Sequence, residues 1–109
     1  MVGMKTAMEI AMLGDRFDAA TAKQRGLVNA VVPAAQLEAE TAKVVKRLLS
    51  LPPLALARTK ALLNASLGNS LQDQLHAEAA NFATSATTSD MAEGMRAFVE
   101  KRKPVFTGR

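Results

Sequence analysis

Proline and glycine residues cut this 109-residue chain into short segments, and each segment has room for a single helix or strand. Proline cannot continue a helix because it lacks the backbone N–H donor, and glycine supplies the left-handed conformation at which many helices end. The breaks fall at Gly14, Gly26, Pro33, the Pro52-Pro53 pair, Gly68 and Pro104. The chain must therefore be assembled from short elements joined by tight connections.

Most of these segments have the composition and periodicity of amphipathic helices. The chain contains 21 alanines and neither tyrosine nor tryptophan, which favours helices over a β-sandwich. Apolar residues recur at helical spacing within the segments. We predict helices over residues 4–13, 19–25, 34–49, 53–66, 71–86 and 91–102.

The exception is the run Leu-Val-Asn-Ala-Val-Val at residues 27–32, which is β-branched and too short for a helix. It is predicted to be a strand or an extended segment. A lone strand is unfavourable because its N–H and C=O groups need a partner strand. The predicted fold class is therefore mainly α, with one short extended segment near residues 27–32.

The last predicted helix carries two specific expectations. Asp90 and Glu93 have the spacing of a capping box, which predicts that they close the start of the helix. An apolar stripe at helical spacing is expected to be its buried face. That stripe consists of Met91, Met95, Phe98 and Val99.

Composition excludes several classes of protein. Hydrophobic residues make up 49% and charged residues 22%, which is typical of a globular protein and not of a disordered one. With no cysteine, the chain has no disulfide, no thiolate nucleophile and no cysteine zinc site. No apolar run approaches the roughly 20 residues of a membrane span, and no secretory signal is visible. We therefore expect a cytoplasmic protein with no membrane partner.

The net charge is concentrated at one end. Residues 96–109 carry five basic side chains and one acidic side chain, whereas residues 1–95 carry nine of each, so the whole formal charge of +4 lies in the last fourteen residues. A basic end of this kind suits a phosphate-bearing partner. Lysine and arginine are also favoured at helix C-termini, where carbonyl groups are unpaired, and both interpretations remain open.

The residues alone predict no catalytic site and no metal site. The six glycines are too scattered for a phosphate-binding loop, and His76 is the only histidine, with no serine nucleophile pattern in the chain. No second histidine or cysteine is present to begin a metal site. The close carboxylate pairs are typical of turn and cap residues. They are Asp15 with Asp18, Glu38 with Glu40, and Asp90 with Glu93.

A series of motifs nevertheless runs through the chain in a fixed order. The shorter ones are Gly3-x3-Ala7-x-Glu9, Gly14-x2-Phe17-x-Ala19, Gly26-Leu27-Val28-Asn29-x-Val31-Val32-Pro33, Pro53-x6-Lys60 and Leu75-x2-Glu78. The longest is Asp90-x2-Glu93-Gly94-x2-Ala97-Phe98-x-Glu100-Lys101-Arg102-x-Pro104-x-Phe106-x-Gly108. In order and spacing the series resembles the C-terminal part of the enoyl-CoA hydratase/isomerase (crotonase) family, and it covers the chain from Gly3 to Gly108.

This resemblance implies what the chain is and what it lacks. Family members carry an N-terminal ββα spiral domain that holds the oxyanion-hole N–H groups and the catalytic glutamates. The resemblance therefore implies that residues 1–109 are the C-terminal helical part of a crotonase-like enzyme and contain no catalytic residue. It implies an intact parent, a lyase or isomerase of fatty acid metabolism, that acts on an acyl-CoA thioester without a covalently bound cofactor. It also implies a homo-oligomer, a trimer or hexamer in the family, to whose contacts this part contributes.

Two residues inherit a binding role from the resemblance. In many family members the last helix places an aromatic ring and a lysine against the adenine and the 3′-phosphate of coenzyme A, and the matching positions here are Phe98 and Lys101. An aromatic face can stack on adenine, and an ammonium group can pair with phosphate. The residues alone also allow Phe98 to belong to the buried stripe and Lys101 to be a helix-end cation.

The alternative from another class is a small helical module that binds nucleic acid or another protein. Residues 4–13 and 19–25 could imitate a helix-turn-helix. The second of these helices carries only Lys23 and Arg25, however, and the basic residues cluster at the other end of the chain. We therefore expect no nucleic-acid partner.

Overall fold

Six α-helices and one short 3-10 turn account for the regular structure of the computed structural model, which describes residues 2–109. No strand occurs within this range. The predicted mainly α class is confirmed, and every predicted helix is present with its ends moved by at most a few residues. The helices are α1 (Met4–Leu13), α2 (Ala19–Gln24), α3 (Leu37–Leu49), α4 (Pro53–Ala65), α5 (Leu71–Ala86) and α6 (Ser89–Val99), with the 3-10 turn Ala34–Gln36 leading into α3.

The chain divides into two compact units, Met1–Ala42 and Lys43–Arg109. In the first unit, Gly14 ends α1 in the left-handed conformation with φ 65°. The Asp18 carboxylate begins α2 by accepting a hydrogen bond of 2.8 Å from the Thr21 N–H, and this bond lowers the pKa of Asp18. The two helices are tied together by Arg25, whose guanidinium donates to the Glu9 carboxylate at 2.7 Å.

Residues 27–32 follow α2 without forming a helix or a strand. Within the described part of the chain, the N–H groups of residues 28–32 donate to no backbone carbonyl. Leu27, Val28 and Val31 are each at least 40% exposed. The predicted extended segment therefore has no partner strand in residues 2–109.

In the second unit, α4 packs against α5 and α5 packs against α6. Side-chain hydrogen bonds join the first pair at two points. Gln74 on α5 donates to the Leu62 carbonyl of α4 at 3.4 Å, and Arg58 on α4 donates to the Ser85 hydroxyl of α5 at 2.9 Å. Ser70 begins α5, because its hydroxyl accepts a hydrogen bond of 3.1 Å from the Asp73 N–H.

The described residues bury very little side-chain surface. Among residues 2–109, only Ala97 and Asp90 are buried, at 1% and 3% exposure. The accessible surface is 9116 Å², whereas a globular protein of this mass would expose roughly 5,800 Å². The excess of roughly 3,300 Å² is larger than the 600–1,500 Å² that an interface between domains buries. Large apolar side chains are exposed in each unit, including Met12 and Leu13 in the first and Leu71 and Phe98 in the second.

The expectation that α6 buries its apolar stripe is wrong. Met95, Phe98 and Val99 are 62%, 85% and 78% exposed, and Met91 is 38% exposed. The covered face of α6 instead carries small and acidic residues at helical spacing. They are Asp90, Glu93, Gly94 and Ala97. The reason lies in the last residues of the chain, which occupy this second face.

Candidate functional site

The C-terminal tail, residues 103–109, is held along α6 by the carboxylate of Asp90. One oxygen of Asp90 accepts from the Thr107 N–H at 2.7 Å, and the other accepts from the Gly108 N–H at 2.9 Å. The Asp90 N–H donates in turn to the Arg109 carbonyl at 3.1 Å. A charged group this deeply buried is stabilised only when it is hydrogen-bonded, and here the tail backbone supplies the donors.

Glu93 holds the beginning of the same tail. Its carboxylate accepts two hydrogen bonds from the Arg102 guanidinium, at 2.6 and 2.9 Å, and a third from the Val105 N–H at 2.9 Å. The paired bonds to Arg102, followed by the bond from Val105, lower the pKa of Glu93 to about 2. Arg102 also donates to Glu100 at 2.6 Å, and the two carboxylates together raise the pKa of Arg102.

The predicted capping box at Asp90 and Glu93 is therefore wrong. Thr88 begins α6, because its hydroxyl accepts a hydrogen bond of 3.2 Å from the Met91 N–H. Asp90 is the second residue of α6, and both carboxylates bind the tail and not the start of the helix. The spacing of a capping box is local, whereas the N–H groups that these carboxylates bind are 12 to 18 residues further along the chain.

Lys101 lies in a strained position immediately after α6. The helix ends in a Schellman motif, in which the Lys101 N–H donates to the Phe98 carbonyl at 3.3 Å and the Arg102 N–H donates to the Ala97 carbonyl at 3.0 Å. This motif requires a left-handed residue, and Lys101 adopts φ 53° where glycine is usual. α2 ends in the same way, with Gly26 at the equivalent position and φ 75°. The Lys101 side chain is exposed, and the two hydrogen bonds of the Schellman motif hold its backbone in place.

Phe98 lies on the exposed face of α6, at the rim of an apolar cleft of about 420 Å³. One wall of the cleft comes from α6 and the tail, including Met95 and Phe106, and the other comes from the start of α4, including Leu54 and Arg58. With 85% of its surface exposed, Phe98 does not belong to a core of this chain. An exposed aromatic ring beside an apolar cleft can stack on a flat ligand or pack against another protein surface.

The structure does not bring the two expected binding residues into one pocket. Phe98 lines the cleft between α4 and α6, and Lys101 does not. They are three residues apart in the sequence.

The remaining candidates from the sequence do not gather into a metal site among residues 2–109. His76 is exposed on α5. The described residues contain no group of three or more histidine, cysteine, aspartate and glutamate side chains that could hold a metal ion. Over the same residues, no helix has the length and apolar character needed to cross a membrane.

Comparison with known proteins gives the family. The sequence profile of the enoyl-CoA hydratase/isomerase family matches residues 1–109. The chain is 37% identical over 105 residues to a probable mitochondrial enoyl-CoA hydratase of Dictyostelium discoideum. The aligned region covers 96% of this chain and 38% of that relative. It is 36% identical over 108 residues to a probable enoyl-CoA hydratase of Mycobacterium bovis, of which it covers 42%.

Solved structures agree with the sequence relatives. An enoyl-CoA hydratase from Bacillus anthracis matches 99% of this chain with a TM-score of 0.94 and 31% identity. A subunit of an enoyl-CoA hydratase from Geobacillus kaustophilus matches 99% of this chain with a TM-score of 0.91 and 39% identity. The chain spans 42% of each of these two. The nucleic-acid-binding alternative is not favoured by any of these matches.

Proposed function

Since the chain belongs to the enoyl-CoA hydratase/isomerase family, we propose that it is the C-terminal helical part of an acyl-CoA-processing enzyme. In this proposal a ββα spiral domain carries the catalytic groups, and residues 1–109 border the coenzyme A pocket and contribute to contacts between subunits. The two relatives described above are named as probable enoyl-CoA hydratases, and this chain covers 38% and 42% of their lengths. The substrate class is carried over from those names.

The observation that carries the proposal is the exposed end of α6. The ring of Phe98 is 85% exposed. Lys101 follows three residues later in a left-handed conformation. Both recognition groups therefore lie outside any core. Phe98 would stack on the adenine of coenzyme A, and Lys101 would pair with its 3′-phosphate. The left-handed conformation at Lys101 supports this role, because a conformation that disfavours lysine by about 1 kcal/mol is retained where the side chain has a task.

Contacts between subunits are supported by the amount of apolar surface that the chain leaves open. Met95 and Val99 adjoin Phe98 on the same face of α6, and an apolar patch of this kind typically marks an interaction surface. A trimer or hexamer, as in the family, would cover it. We retain the cytoplasm as the proposed location, although the Dictyostelium discoideum relative is named mitochondrial.

Coenzyme A titration tests the proposed binding edge. In ¹H–¹⁵N spectra of the 109-residue chain, we expect coenzyme A to shift the amide signals of Phe98 and Lys101. Dephospho-coenzyme A, which lacks the 3′-phosphate, should shift Phe98 but leave Lys101 nearly unchanged. Stacking on one base contributes about 1–3 kcal/mol, so Phe98→Ala should weaken binding roughly tenfold or more.

Phe82→Ala is the matched control, because Phe82 on α5 is 69% exposed and lies outside the proposed edge. Equal weakening by Phe98→Ala and Phe82→Ala, or no response at Phe98 and Lys101, would contradict the proposal. The same samples are expected to leave an added enoyl-CoA unhydrated. Turnover by this chain would show that catalytic groups lie within it.

A further inference from the structure

Four of the six residues that line a second cleft, of about 480 Å³, are cations. It lies between the C-terminal half of α3 and the first residues of the tail. Its lining residues are Lys43, Lys46, Arg47, Ser50, Lys103 and Pro104. We propose that this basic cleft binds a ligand that carries two or more linked phosphate groups, at a site separate from Phe98 and Lys101.

The cations reach the cleft from two distant parts of the chain. Lys43, Lys46 and Arg47 are spaced three and four residues apart, so they share one face of α3. Lys103 comes from the tail, more than fifty residues further along. No carboxylate lines the cleft. Like charges that share one cavity without a carboxylate repel each other, and an anion between them removes that repulsion.

Lys46, Arg47 and Lys103 form no ion pair in the described part of the chain. The end of α3 does not require them either, because the Arg47 carbonyl accepts from the Ser50 hydroxyl at 2.7 Å and the Leu48 carbonyl accepts from the Leu51 N–H at 3.1 Å. Their positive charge is therefore available to a ligand.

Lys103 is presented by a fixed backbone. Its carbonyl accepts from the Arg102 guanidinium at 3.2 Å, and the Val105 N–H two residues later donates to the Glu93 carboxylate at 2.9 Å. The tail therefore holds this cation opposite α3 without help from a ligand. A site that is arranged in advance loses less conformational entropy on binding.

The size and chemistry of the cleft favour linked phosphates over a single anion. A volume of about 480 Å³ falls in the range of small-molecule sites, and it exceeds what one phosphate fills. Several cations around one cavity match a ligand with several adjacent negative charges, and the planar guanidinium of Arg47 can bind phosphate oxygens in pairs. A nucleoside diphosphate and the diphosphate of coenzyme A share this chemistry.

Calorimetric titration of the 109-residue chain with tripolyphosphate tests the proposal. The variant Lys46→Gln/Arg47→Gln/Lys103→Gln removes three charges from the cleft. The matched control, Lys5→Gln/Arg16→Gln/Lys23→Gln, removes three charges from the first unit and so gives the same net charge. Exposed ion pairs contribute modestly each, so we expect the cleft variant to bind about tenfold more weakly and the control to bind nearly as wild type.

Further arms identify the source of the phosphates and protect against a folding artefact. ADP and coenzyme A are each titrated into the wild type and the cleft variant, and the ligand whose affinity falls more in the cleft variant names the source. Lys103 lies outside every helix of the described residues. The single variant Lys103→Gln therefore reports on the cleft even if the triple variant loses helicity. No binding of tripolyphosphate by the wild type, or equal weakening by the two triple variants, would overturn the proposal. Stronger binding to duplex DNA than to tripolyphosphate at equal phosphate concentration would also overturn it. None of these results depends on Phe98 or Lys101, so the acyl-CoA proposal stands or fails separately.

Discussion

Replacing Asp90 with alanine should release the C-terminal tail from α6. Asp90 is 3% exposed and is the only buried charged group among the described residues. Its two oxygens accept from the N–H groups of Thr107 and Gly108 at 2.7 and 2.9 Å. Alanine removes both acceptors at once and leaves the two tail amides without partners in the structure.

The expected loss of stability follows from these two hydrogen bonds. A hydrogen bond to a charged group contributes about 1.5–3 kcal/mol. The lower end of this range applies to each bond, because a released tail can place its N–H groups in water, so Asp90→Ala should destabilise by about 3 kcal/mol. Asp90→Asn keeps one carbonyl acceptor and replaces the other oxygen with a donor, so it should destabilise by about half as much.

Urea unfolding followed by circular dichroism measures the free energy, and amide hydrogen exchange locates the change. We expect Asp90→Ala to lower the protection of the Thr107 and Gly108 amides far more than that of amides in α1. Asp15→Ala is the control, since the Asp15 carboxylate in the first unit has no hydrogen bond among the described residues. A surface change of that kind alters stability by about 0.5 kcal/mol or less.

Two results would refute this reasoning. One is an Asp90→Ala variant whose free energy of unfolding equals that of Asp15→Ala. The other is unchanged exchange at Thr107 and Gly108, because the tail would then be held by contacts other than the Asp90 carboxylate.

Two further predictions concern the helix ends. Hydrogen bonds from Arg102 lower the pKa of Glu93 from 4.5 to about 2, so this carboxylate stabilises the fold fully above pH 4.5, and its contribution is lost as the pH falls towards 2. The difference in melting temperature between wild type and Glu93→Gln should therefore shrink over that interval, with Glu38→Gln as the charge-matched control; a difference that stays constant with pH would contradict it. Lys101→Gly should raise stability by about 0.5–1 kcal/mol in urea unfolding, because glycine adopts φ 53° without strain. Gly26→Ala, at the equivalent position after α2, should lower stability by about 1 kcal/mol, and equal signs for the two changes would refute the argument.

The helices could be predicted from the sequence because their determinants are local. Asp18 and Ser70 accept hydrogen bonds from N–H groups three residues later, and Gly14 ends α1 by its own conformation. Such signals are complete within a single turn of helix. The bounds of α1 and α5 are accordingly those that the sequence predicts.

The orientation of α6 could not be predicted because its determinants are distant. The apolar stripe through Phe98 suggests a buried face, since helices in a globular protein usually turn their apolar side inwards. In this chain Asp90 and Glu93 bind the tail, and that tail covers the opposite face. Neither partner is visible from helical periodicity, because Val105 and Gly108 lie beyond the helix and donate through their backbone.

The binding role of Phe98 and Lys101 stays a prediction. Sequence and resemblance together single out Phe98 and Lys101, and both prove to be exposed at the end of α6. The basic cleft was missed, because the net charge of residues 1–95 is zero. That balance does not reveal that three cations share one face of α3. Their spacing of three and four residues was the available signal.

The two opposite faces of α6 depend on different solvent conditions. Arg102 lowers the pKa of Glu93, which holds the start of the tail, to about 2, so strong acid should loosen that contact. The apolar side through Phe98 carries no titratable group and should respond to detergents or organic co-solvents instead. An experimenter could therefore loosen the start of the tail while leaving the outward face available, or mask the outward face with the tail still in place. A single helix of eleven residues thus offers two independently addressable surfaces.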